Sequence, residues 1–319
     1  MNSTFPDRNS AASPTRIIAH RGASGYLPEH TAAAKTLAYG LGADFIEQDL
    51  VASKDHELVV LHDSYLDDVS DVAAKYPDRR RDDGHYYVLD FTLAELRELV
   101  LAERRQPGES LRRYPGRFPY DTQEFRIVSF DDEIRLISGL NASTGRHVGL
   151  YPEVKDPGWH AQAGIDLTRL VYEALERARE FLSGPVFVQS FEPSALQRLA
   201  AEFSTPWPLV QLLNRADAEE LAGNPPRLAQ ISGYAAAVGL PFDTLIERTS
   251  GSLRPSPLAI GLSEAGLLVH PYTLRRDVAP PDGIEYFAAL RFLIRELKVD
   301  AVFCDFPDDA VALRDGSVA

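Results

Sequence analysis

The residues of this sequence best suited to chemistry are histidines and carboxylates that lie in or directly after apolar segments. His20 and Arg21 follow the run IIA, and His62 follows LVVL. Glu47 and Asp49 lie between them in DFIEQDL. Imidazoles titrate near neutral pH and can take and give the protons that displacement at phosphorus requires. Together with carboxylates for a metal and an arginine for phosphate, they predict an enzyme that cleaves a phosphate ester.

The carboxylates predict a site for a hard divalent cation. Glu47 and Asp49 are two residues apart in a strand-like segment, so their side chains point to the same face. Because burying unpaired acids is costly, a cation or a basic partner must neutralise them. Glu153 adds a third acid in GLYPEVK, and Lys155 lies on the same side two residues later. Three oxygen ligands with no nearby cysteine favour Mg²⁺ or Ca²⁺ over zinc.

Each of these residues also has a purely structural interpretation. Either histidine alone is more often a core residue, and the two acids of DFIEQDL could be ion-pair members at a strand end. Glu153 with Lys155 could be a plain salt bridge. Chemistry is favoured because all of them fall at predicted strand ends, which a barrel gathers into one mouth.

Composition excludes some partners. The 319 residues are 45% hydrophobic and carry a formal net charge of −14. A protein that neutralises a phosphate backbone needs a basic face, so neither nucleic acid nor an anionic membrane is expected as a partner. A bound phosphate must therefore meet a local positive site, for which Arg21 and Lys155 are the candidates.

The single cysteine, Cys304, cannot form an internal disulfide and is interpreted as a packing residue.

Short apolar runs alternate with longer segments of helical periodicity, a pattern typical of a parallel sheet with crossover helices. The predicted strands are 16–20, 44–50, 58–62, 148–154, 186–191, 208–213, 236–240, 267–272 and 301–305. The predicted helices are 30–41, 92–102, 129–140, 161–182, 193–203, 215–222, 226–235 and 284–297.

The third predicted strand cannot be an ordinary barrel strand. Only the seven residues VASKDHE separate Leu50 from Leu58, whereas a parallel crossover needs about a dozen or more. Segment 58–62 is therefore expected to continue the second strand or to fold back on it. The remaining eight strands favour an α/β fold, a (β/α)8 TIM barrel, with a doubly wound open sheet as the alternative.

Residues 64–125 interrupt this rhythm with charged, proline-rich and glycine-rich sequence. We interpret them as a small inserted subdomain within a single domain spanning 16–319, preceded by a flexible segment at 1–15. Such an insertion either shapes the active site or is a solvated decoration. The polar N-terminus resembles no leader, and no apolar run reaches eighteen residues, so we expect no membrane insertion. A cytoplasmic location is expected, with a periplasmic or secreted one as the alternative.

The candidate residues stand within an ordered set of longer motifs. These are AHRGASGYLPEHT, GADFIEQDLVASKD, LVVLHDSYLDDVSDVA, YYVLDFTLAELREL, YPGRFP, YPEVK, VHPYTLR and FCDFPD. With them the chain resembles the glycerophosphodiester phosphodiesterase family, particularly its bacterial periplasmic type. The resemblance runs from about residue 16 to 310 and implies a TIM barrel with a small insertion.

The resemblance also implies a role for each matched residue. Glu47, Asp49 and Glu153 correspond to the metal ligands. His20 and His62 correspond to the general acid/base pair, while Arg21 and Lys155 correspond to phosphate-contacting cations. The family favours Ca²⁺ over Mg²⁺ as the single divalent cofactor. The expected substrate is a small glycerophosphodiester, such as glycerophosphocholine or glycerophosphoethanolamine, cleaved to an alcohol and sn-glycerol 3-phosphate by water or through a cyclic phosphate.

Further residues at strand ends have less specific signals. Gln189 and Tyr272 are candidate substrate contacts, Tyr272 standing where many smaller family members carry tryptophan. Asp305 either hydrogen-bonds in the site or is structural. Asp63 could orient a histidine, although capping of the following loop is favoured. His30 replaces the asparagine of the common PENT motif, as in the periplasmic type, and is interpreted as a helix-entry residue.

Two other functions fit the same sequence. A binding protein could keep the barrel and lose turnover, but such a protein is expected to lack a histidine or a metal carboxylate, and none is missing here. A related enzyme could act on phospholipids, which an exposed apolar rim on the 64–125 segment would favour. That segment is rich in Arg, Asp and Tyr, so a small-molecule diester is preferred.

Overall fold

A barrel of parallel strands forms the centre of the protein. The computed structural model describes residues 14–120, 124–249, 251–279 and 283–317. Its strands are β1 (Arg16–Ala19), β2 (Phe45–Ala52), β3 (Leu58–Val60), β4 (Val100–Leu101), β5 (Phe125–Arg126), β6 (Gly149–Val154), β7 (Val188–Ser190), β8 (Leu209–Leu212), β9 (Ala237–Pro241), β10 (Ile246–Thr249), β11 (Ser252–Pro255), β12 (Leu268–Tyr272) and β13 (Ala301–Cys304).

Helices fill most of the connections between the barrel strands. They are α1 (Ala32–Gly40), α2 (Val72–Lys75), α3 (Leu93–Leu96), α4 (Phe130–Thr144), α5 (Pro157–Gln162), α6 (Leu167–Ala178), α7 (Pro193–Ala201), α8 (Arg215–Leu221), α9 (Pro225–Ser232), α10 (Pro257–Glu264), α11 (Tyr286–Arg291) and α12 (Pro307–Arg314). A π-helical stretch, Phe292–Leu297, continues α11. Across the described ranges, no helix is both long enough and apolar enough to cross a bilayer.

The strand order shows a nearly closed barrel. Eight parallel strands lie in the order β12, β9, β8, β7, β6, β2, β1 and β13. The two ends of this sheet meet where Leu274 forms a parallel bridge with Cys304, and the Leu274 N–H donates to the Phe303 carbonyl at 2.9 Å. The predicted (β/α)8 barrel is therefore confirmed, and the open doubly wound sheet is wrong.

The third strand folds back on the second, as its short connection predicts. β3 pairs antiparallel with the end of β2, with Leu50 opposite Val60 and Ala52 opposite Leu58. It stands outside the sequence of parallel neighbours. The hairpin therefore turns the chain at the carboxyl end of β2, and it brings His62 back to the end of the barrel where Asp49 lies.

Two of the eight predicted helices differ from the observed ones, and some observed helices were not predicted. The single helix expected at 161–182 is two helices, α5 and α6, because Gly164 adopts a left-handed φ of 82° between them. The helix expected at 92–102 ends at Leu96, and β4 begins at Val100. Helices α10 and α12 were not predicted, although each begins with a proline at its first position, where a missing N–H costs nothing.

The segment that follows β3 has an apolar cluster of its own. Leu66, Val88, Phe91 and Leu99 are buried in it, and they pack on residues of the β2–β3 hairpin such as Val59. The segment is thus anchored at the carboxyl end of the barrel. The predicted flexible stretch 1–15 lies outside the described residues except for its last two positions.

Aromatic side chains fill the barrel interior. Tyr151 stacks on Phe187 with ring centroids 5.4 Å apart, and Phe45 and Phe303 pack against Tyr151 edge-on. His270 is the polar member of this layer: its Nδ1 lies 2.5 Å from the Tyr151 hydroxyl oxygen. Burial lowers the pKa of His270 from 6.5 to about 3.

This burial predicts a pH-dependent stability. The unfolded chain takes up a proton at His270 below pH 6.5, whereas the folded protein resists protonation down to about pH 3. The contribution is therefore complete above pH 6.5 and is lost as pH falls. In His270→Asn, which keeps an acceptor for Tyr151, the free energy of unfolding should vary less with pH between about 6.5 and 4.5, by up to about 1.4 kcal/mol per pH unit.

Denaturant titrations at several pH values measure this slope. His147→Asn is the control, because that imidazole is exposed, and it should keep the wild-type slope. An unchanged slope in His270→Asn would contradict the proposed cost of protonating the barrel interior.

Candidate active site

One cavity at the mouth of the barrel collects all the predicted site residues. It has a volume of about 180 Å³. Its lining residues are His20, Arg21, Glu47, Asp49, His62, Glu153, Lys155, Gln189, Phe191, Leu212, Tyr272, Thr273, Arg275 and Phe303. They lie in or directly after seven parallel strands, β1, β2, β6, β7, β8, β12 and β13, and after the antiparallel β3. Residues at the carboxyl ends of parallel barrel strands meet at one mouth.

Sheet register places the acids side by side. Asp49 of β2 is the partner of Glu153 of β6, and Glu153 is the partner of Gln189 of β7. Glu47 precedes Asp49 by two residues and so shares its face. The carboxylates of Glu47, Asp49 and Glu153 are all buried. Three acids that are separated by up to about a hundred residues in sequence thus form one patch.

Backbone and side-chain donors partly satisfy these acids. Glu47 Oε2 accepts a hydrogen bond from the Arg21 backbone N–H at 2.6 Å. Asp49 Oδ2 lies 2.8 Å from His30 Nε2. Lys155 Nζ lies 3.0 Å from Glu153 Oε1 and 3.8 Å from Asp49 Oδ1. All three acids line the cavity, so their remaining acceptor capacity is available to a ligand there.

The pKa values of the three acids reflect their burial and their closeness to other charged groups. Burial, together with the charge of Asp49, raises the pKa of Glu47 well above its ordinary value. Burial also raises the pKa of Glu153 to about 8, although Lys155 opposes the shift. For Asp49 burial acts in the same direction, but the charge of Lys155 and the hydrogen bond from His30 outweigh it and lower the pKa. The patch therefore needs additional positive charge to hold all its acids ionised.

A divalent cation fits the residues that are present. Ligand atoms of His30, Glu47 and Asp49 lie within 4.8 Å of one another. Among the described residues, Asp49 Oδ1 and Gln189 Oε1 find no hydrogen-bond partner, although both oxygens are buried. Oxygen-rich donors of this kind suit Ca²⁺ or Mg²⁺. Glu153, the third predicted ligand, lies next to Asp49 in the sheet.

His30 stands at the entry to α1, as predicted, and its ring also reaches the acid patch. Thr31 is the cap of α1, since its side chain accepts a hydrogen bond from the Ala34 N–H. His30 precedes this cap with a φ of 61°, and this conformation turns the fully buried ring toward Asp49. The histidine of the PEHT motif was visible in the sequence, but only the fold shows that its imidazole contacts Asp49.

Each cavity histidine is held by a carboxylate. His20 Nδ1 lies 2.7 Å from Asp305 Oδ1, and His62 Nδ1 lies 2.6 Å from Asp63 Oδ1. A proton on Nδ1 is thereby favoured, which leaves Nε2 of each ring as the acceptor. Asp63 thus orients a histidine, which was the less favoured of its two interpretations, and Asp305 hydrogen-bonds within the site.

Burial also keeps both imidazoles uncharged. It lowers the pKa of His20 to about 4, helped by the neighbouring Arg21. Burial and the charges of Arg21 and of Lys155 likewise lower the pKa of His62 to about 4. Two neutral imidazoles, each with a fixed Nδ1, therefore face the same small cavity.

Fixed cations give this acidic protein a local positive site. Arg21 Nη1 lies 3.0 Å from each oxygen of Glu29, and the backbone of Arg21 has a φ of 58°. Gly22 follows it in a left-handed conformation, where an added Cβ would lie 2.8 Å from the Ala34 carbonyl carbon. The HRG sequence thus needs its glycine. Arg275, which sequence reasoning missed, lines the same cavity after β12.

The predicted substrate contacts form one wall of the cavity. Tyr272 donates its hydroxyl hydrogen to the Leu213 carbonyl at 2.7 Å, so its orientation is fixed. Its ring meets Phe191 edge-on with centroids 6.1 Å apart. Gln189 Nε2 lies 3.5 Å from Glu47 Oε1. Tyr272 and Phe191 thus give the cavity an aromatic lining beside its charged residues.

Comparison with known proteins shows the family and the fold of this chain. The model of the glycerophosphoryl diester phosphodiesterase family matches residues 20–309. A glycerophosphodiester phosphodiesterase of Haemophilus influenzae is 37% identical, with 94% of this chain and 90% of that protein covered. A structure from Silicibacter pomeroyi, described as a glycerophosphoryl diester phosphodiesterase, superposes with a TM-score of 0.70 at 21% identity, covering 96% of this chain and 94% of that one.

A second solved structure was determined with a bound ligand. It is an Oleispira antarctica phosphodiesterase in complex with its product sn-glycerol-3-phosphate. It superposes with a TM-score of 0.64 at 21% identity and covers 95% of this chain and 97% of that one. At this identity the likeness establishes the shared barrel fold.

The barrel and the histidines and acids at its mouth fit a phosphoric diester hydrolase. The family match over nearly the whole chain makes the assignment specific: the chain belongs to the glycerophosphoryl diester phosphodiesterase family. Its activity is that of a glycerophosphodiester phosphodiesterase.

Proposed function

We propose that this enzyme hydrolyses small glycerophosphodiesters, such as glycerophosphocholine and glycerophosphoethanolamine, to an alcohol and sn-glycerol 3-phosphate. The observation that carries the proposal is the convergence of two carboxylate-held histidines and three acids on one cavity of about 180 Å³. The product-bound relative from Oleispira antarctica supports the choice of substrate class. A small cavity suits a small-molecule diester better than a bilayer lipid.

Glu47, Asp49 and Glu153 hold the divalent cation in this proposal, with His30 fixing Asp49. Ca²⁺ is preferred to Mg²⁺, in line with the family resemblance. When bound, the cation supplies Lewis-acid stabilisation for the phosphate oxygens and lowers the pKa of a hydroxyl that it contacts. Its positive charge would also favour the ionised forms of Glu47 and of Glu153, whose pKa values are raised by burial and by the neighbouring Asp49.

His20 and His62 serve as the acid/base pair. Asp305 and Asp63 each hold the Nδ1 proton of one ring, so that Nε2 can accept a proton from the attacking hydroxyl or return one to the leaving alcohol. A carboxylate that fixes the tautomer in this way also stabilises the imidazolium that forms during the reaction. The attacking hydroxyl is that of water or of the glycerol itself.

Arg21 and Lys155 bind the phosphate. Their positive charges lie beside the acid patch, at the point where an anionic diester must enter a protein of net charge −14. Arg275 adds a third cation on the β12 side of the cavity. Gln189 and Tyr272 complete the proposed binding set, with Tyr272 and Phe191 packing against the glycerol carbons. Residues 64–125 are the insertion within the single domain 16–319.

Metal removal tests the cofactor. We expect EDTA to abolish release of glycerol 3-phosphate from glycerophosphocholine in a coupled assay, and excess Ca²⁺ or Mg²⁺ to restore it. The physical reason is that three buried acids in one patch repel both each other and the anionic substrate. EDTA saturated with Ca²⁺ is the control. Activity that is indifferent to chelation would refute the metal site.

Replacement of the histidines tests the proton transfers. His20→Ala and His62→Ala should each lower kcat by roughly 100- to 10,000-fold, the usual contribution of general acid/base catalysis. Circular dichroism and thermal unfolding check that both variants fold. His147→Ala, at an exposed histidine, should retain activity. Wild-type turnover in either cavity variant would eliminate the role assigned to that residue.

A further inference from the structure

Two arginines of the segment between β3 and α4 are buried beside the active site. The side chain of Arg104 is 5% exposed and that of Arg117 is 3% exposed. Other arginines of the segment, such as Arg81 and Arg97, are more than two-fifths exposed. Burying a guanidinium is expensive unless it is fully paired, so the partners of these two residues indicate what they do.

Arg117 reaches the carboxylate that holds His20. Its Nη2 donates to Asp305 Oδ2 at 2.6 Å, while Asp305 Oδ1 is the oxygen bonded to His20 Nδ1. Asp277 fixes Arg117 itself, accepting from Nε at 2.7 Å and from Nη2 at 3.1 Å, and the Ser24 carbonyl accepts from Nη1 at 3.2 Å. Arg117 therefore holds Asp305 from the side opposite the imidazole.

Arg104 makes the equivalent contact on the other histidine. Its Nη1 donates a short hydrogen bond to Asp63 Oδ2, while Asp63 Oδ1 is bonded to His62 Nδ1 at 2.6 Å. The same guanidinium also donates two hydrogen bonds to Glu29, from Nη2 to Oε1 at 2.6 Å and from Nε to Oε2 at 3.1 Å. Glu29 in turn pairs with Arg21. One arginine is thus tied to both a histidine carboxylate and a phosphate-site arginine.

The two contacts share one pattern. In each, an arginine from the segment is hydrogen-bonded to one oxygen of an aspartate, and a cavity histidine is hydrogen-bonded to the other oxygen. A carboxylate with both oxygens engaged cannot rotate, so the ring that it holds keeps its tautomer and its direction. Neither arginine is among the residues that line the cavity. Arg117 can therefore act on turnover through Asp305, and Arg104 through Asp63, while its contact with Glu29 reaches the phosphate-site Arg21.

We propose that Arg104 and Arg117 are positioning residues that fix the two histidines through Asp63 and Asp305, so that the inserted segment completes the active site of the barrel. This inference rests on the proposed acid/base roles of His20 and His62. It also gives the segment a function. There are two hydrogen-bond relays, each running from an arginine through an aspartate to a histidine, and the segment supplies the arginine of each.

Arg104 offers the cleaner test, because Asp305 keeps a second arginine, Arg275, whose Nε donates to it at 2.8 Å. Arg104→Met should lower kcat on glycerophosphocholine by roughly 10- to 100-fold, the usual cost of losing an orienting partner, with little change in KM. Asp63→Asn should have a similar effect. Because both act through the same ring, the double variant should be no slower than the slower single variant.

Two further variants separate positioning from stability. Arg104→Lys keeps the buried charge and should recover part of the lost kcat. Arg97→Met is the matched control: Arg97 also joins the segment to the barrel, through Asp132 of α4 at 2.5 Å, but contacts neither histidine relay. It should keep wild-type kcat. Rate losses that multiply in the Arg104–Asp63 double variant, or an equal loss in Arg97→Met, would overturn the proposal.

Histidine-selective ¹⁵N NMR of the full-length enzyme provides a readout that does not depend on turnover. In the wild type, His62 should show a protonated Nδ1, and Arg104→Met should convert it to a mixture of tautomers, whereas Arg104→Lys should not. If Arg104→Met left the His62 signals unchanged, the positioning role would be wrong. Altered signals with unchanged kcat would instead uphold the positioning and refute the catalytic role of His62.

Discussion

The burial of three carboxylates on one face of β2 and β6 is the constraint on which the rest of the site depends. Parallel register places Asp49 directly beside Glu153, and strand alternation places Glu47 on the same face. Charges so close together in a poorly solvated place are tolerable only with compensating groups around them. Arg21, Lys155 and the ring of His30 provide part of this compensation, and a divalent cation is suited to provide the rest.

The same requirement for paired charge extends outward from the acids to the histidines. Asp63 and Asp305 orient the imidazoles and are themselves neutralised by buried arginines. The path from Arg21 through Glu29 to Arg104 links the phosphate site to the segment that follows β3. A barrel mouth is therefore not sufficient for this chemistry. The β2–β3 hairpin returns the chain to that mouth and allows the segment to pack there.

The sequence predicted the barrel and nine of the fourteen residues that line the cavity, because both depend on local patterns. All nine predicted strands are present within two residues of their bounds, and polar residues at strand ends must converge in a barrel. Arg104, Arg117 and Arg275 were missed because their roles come from partners far along the chain. Asp305, for example, is 188 residues from Arg117, and neither sequence neighbourhood indicates the other. The prediction of a single helix at 161–182 was wrong because one glycine in a left-handed conformation interrupts an otherwise helical pattern.

A calorimetric titration with Ca²⁺ tests most directly whether the acid patch is a metal site. The wild-type enzyme should bind one ion, and Glu47→Gln should bind it at least about 10-fold more weakly, since a patch ligand loses its charge. Glu57→Gln, at an exposed glutamate in the β2–β3 turn, should bind as the wild type does. Wild-type protein that binds no divalent cation, or Glu47→Gln with unchanged affinity, would contradict the account.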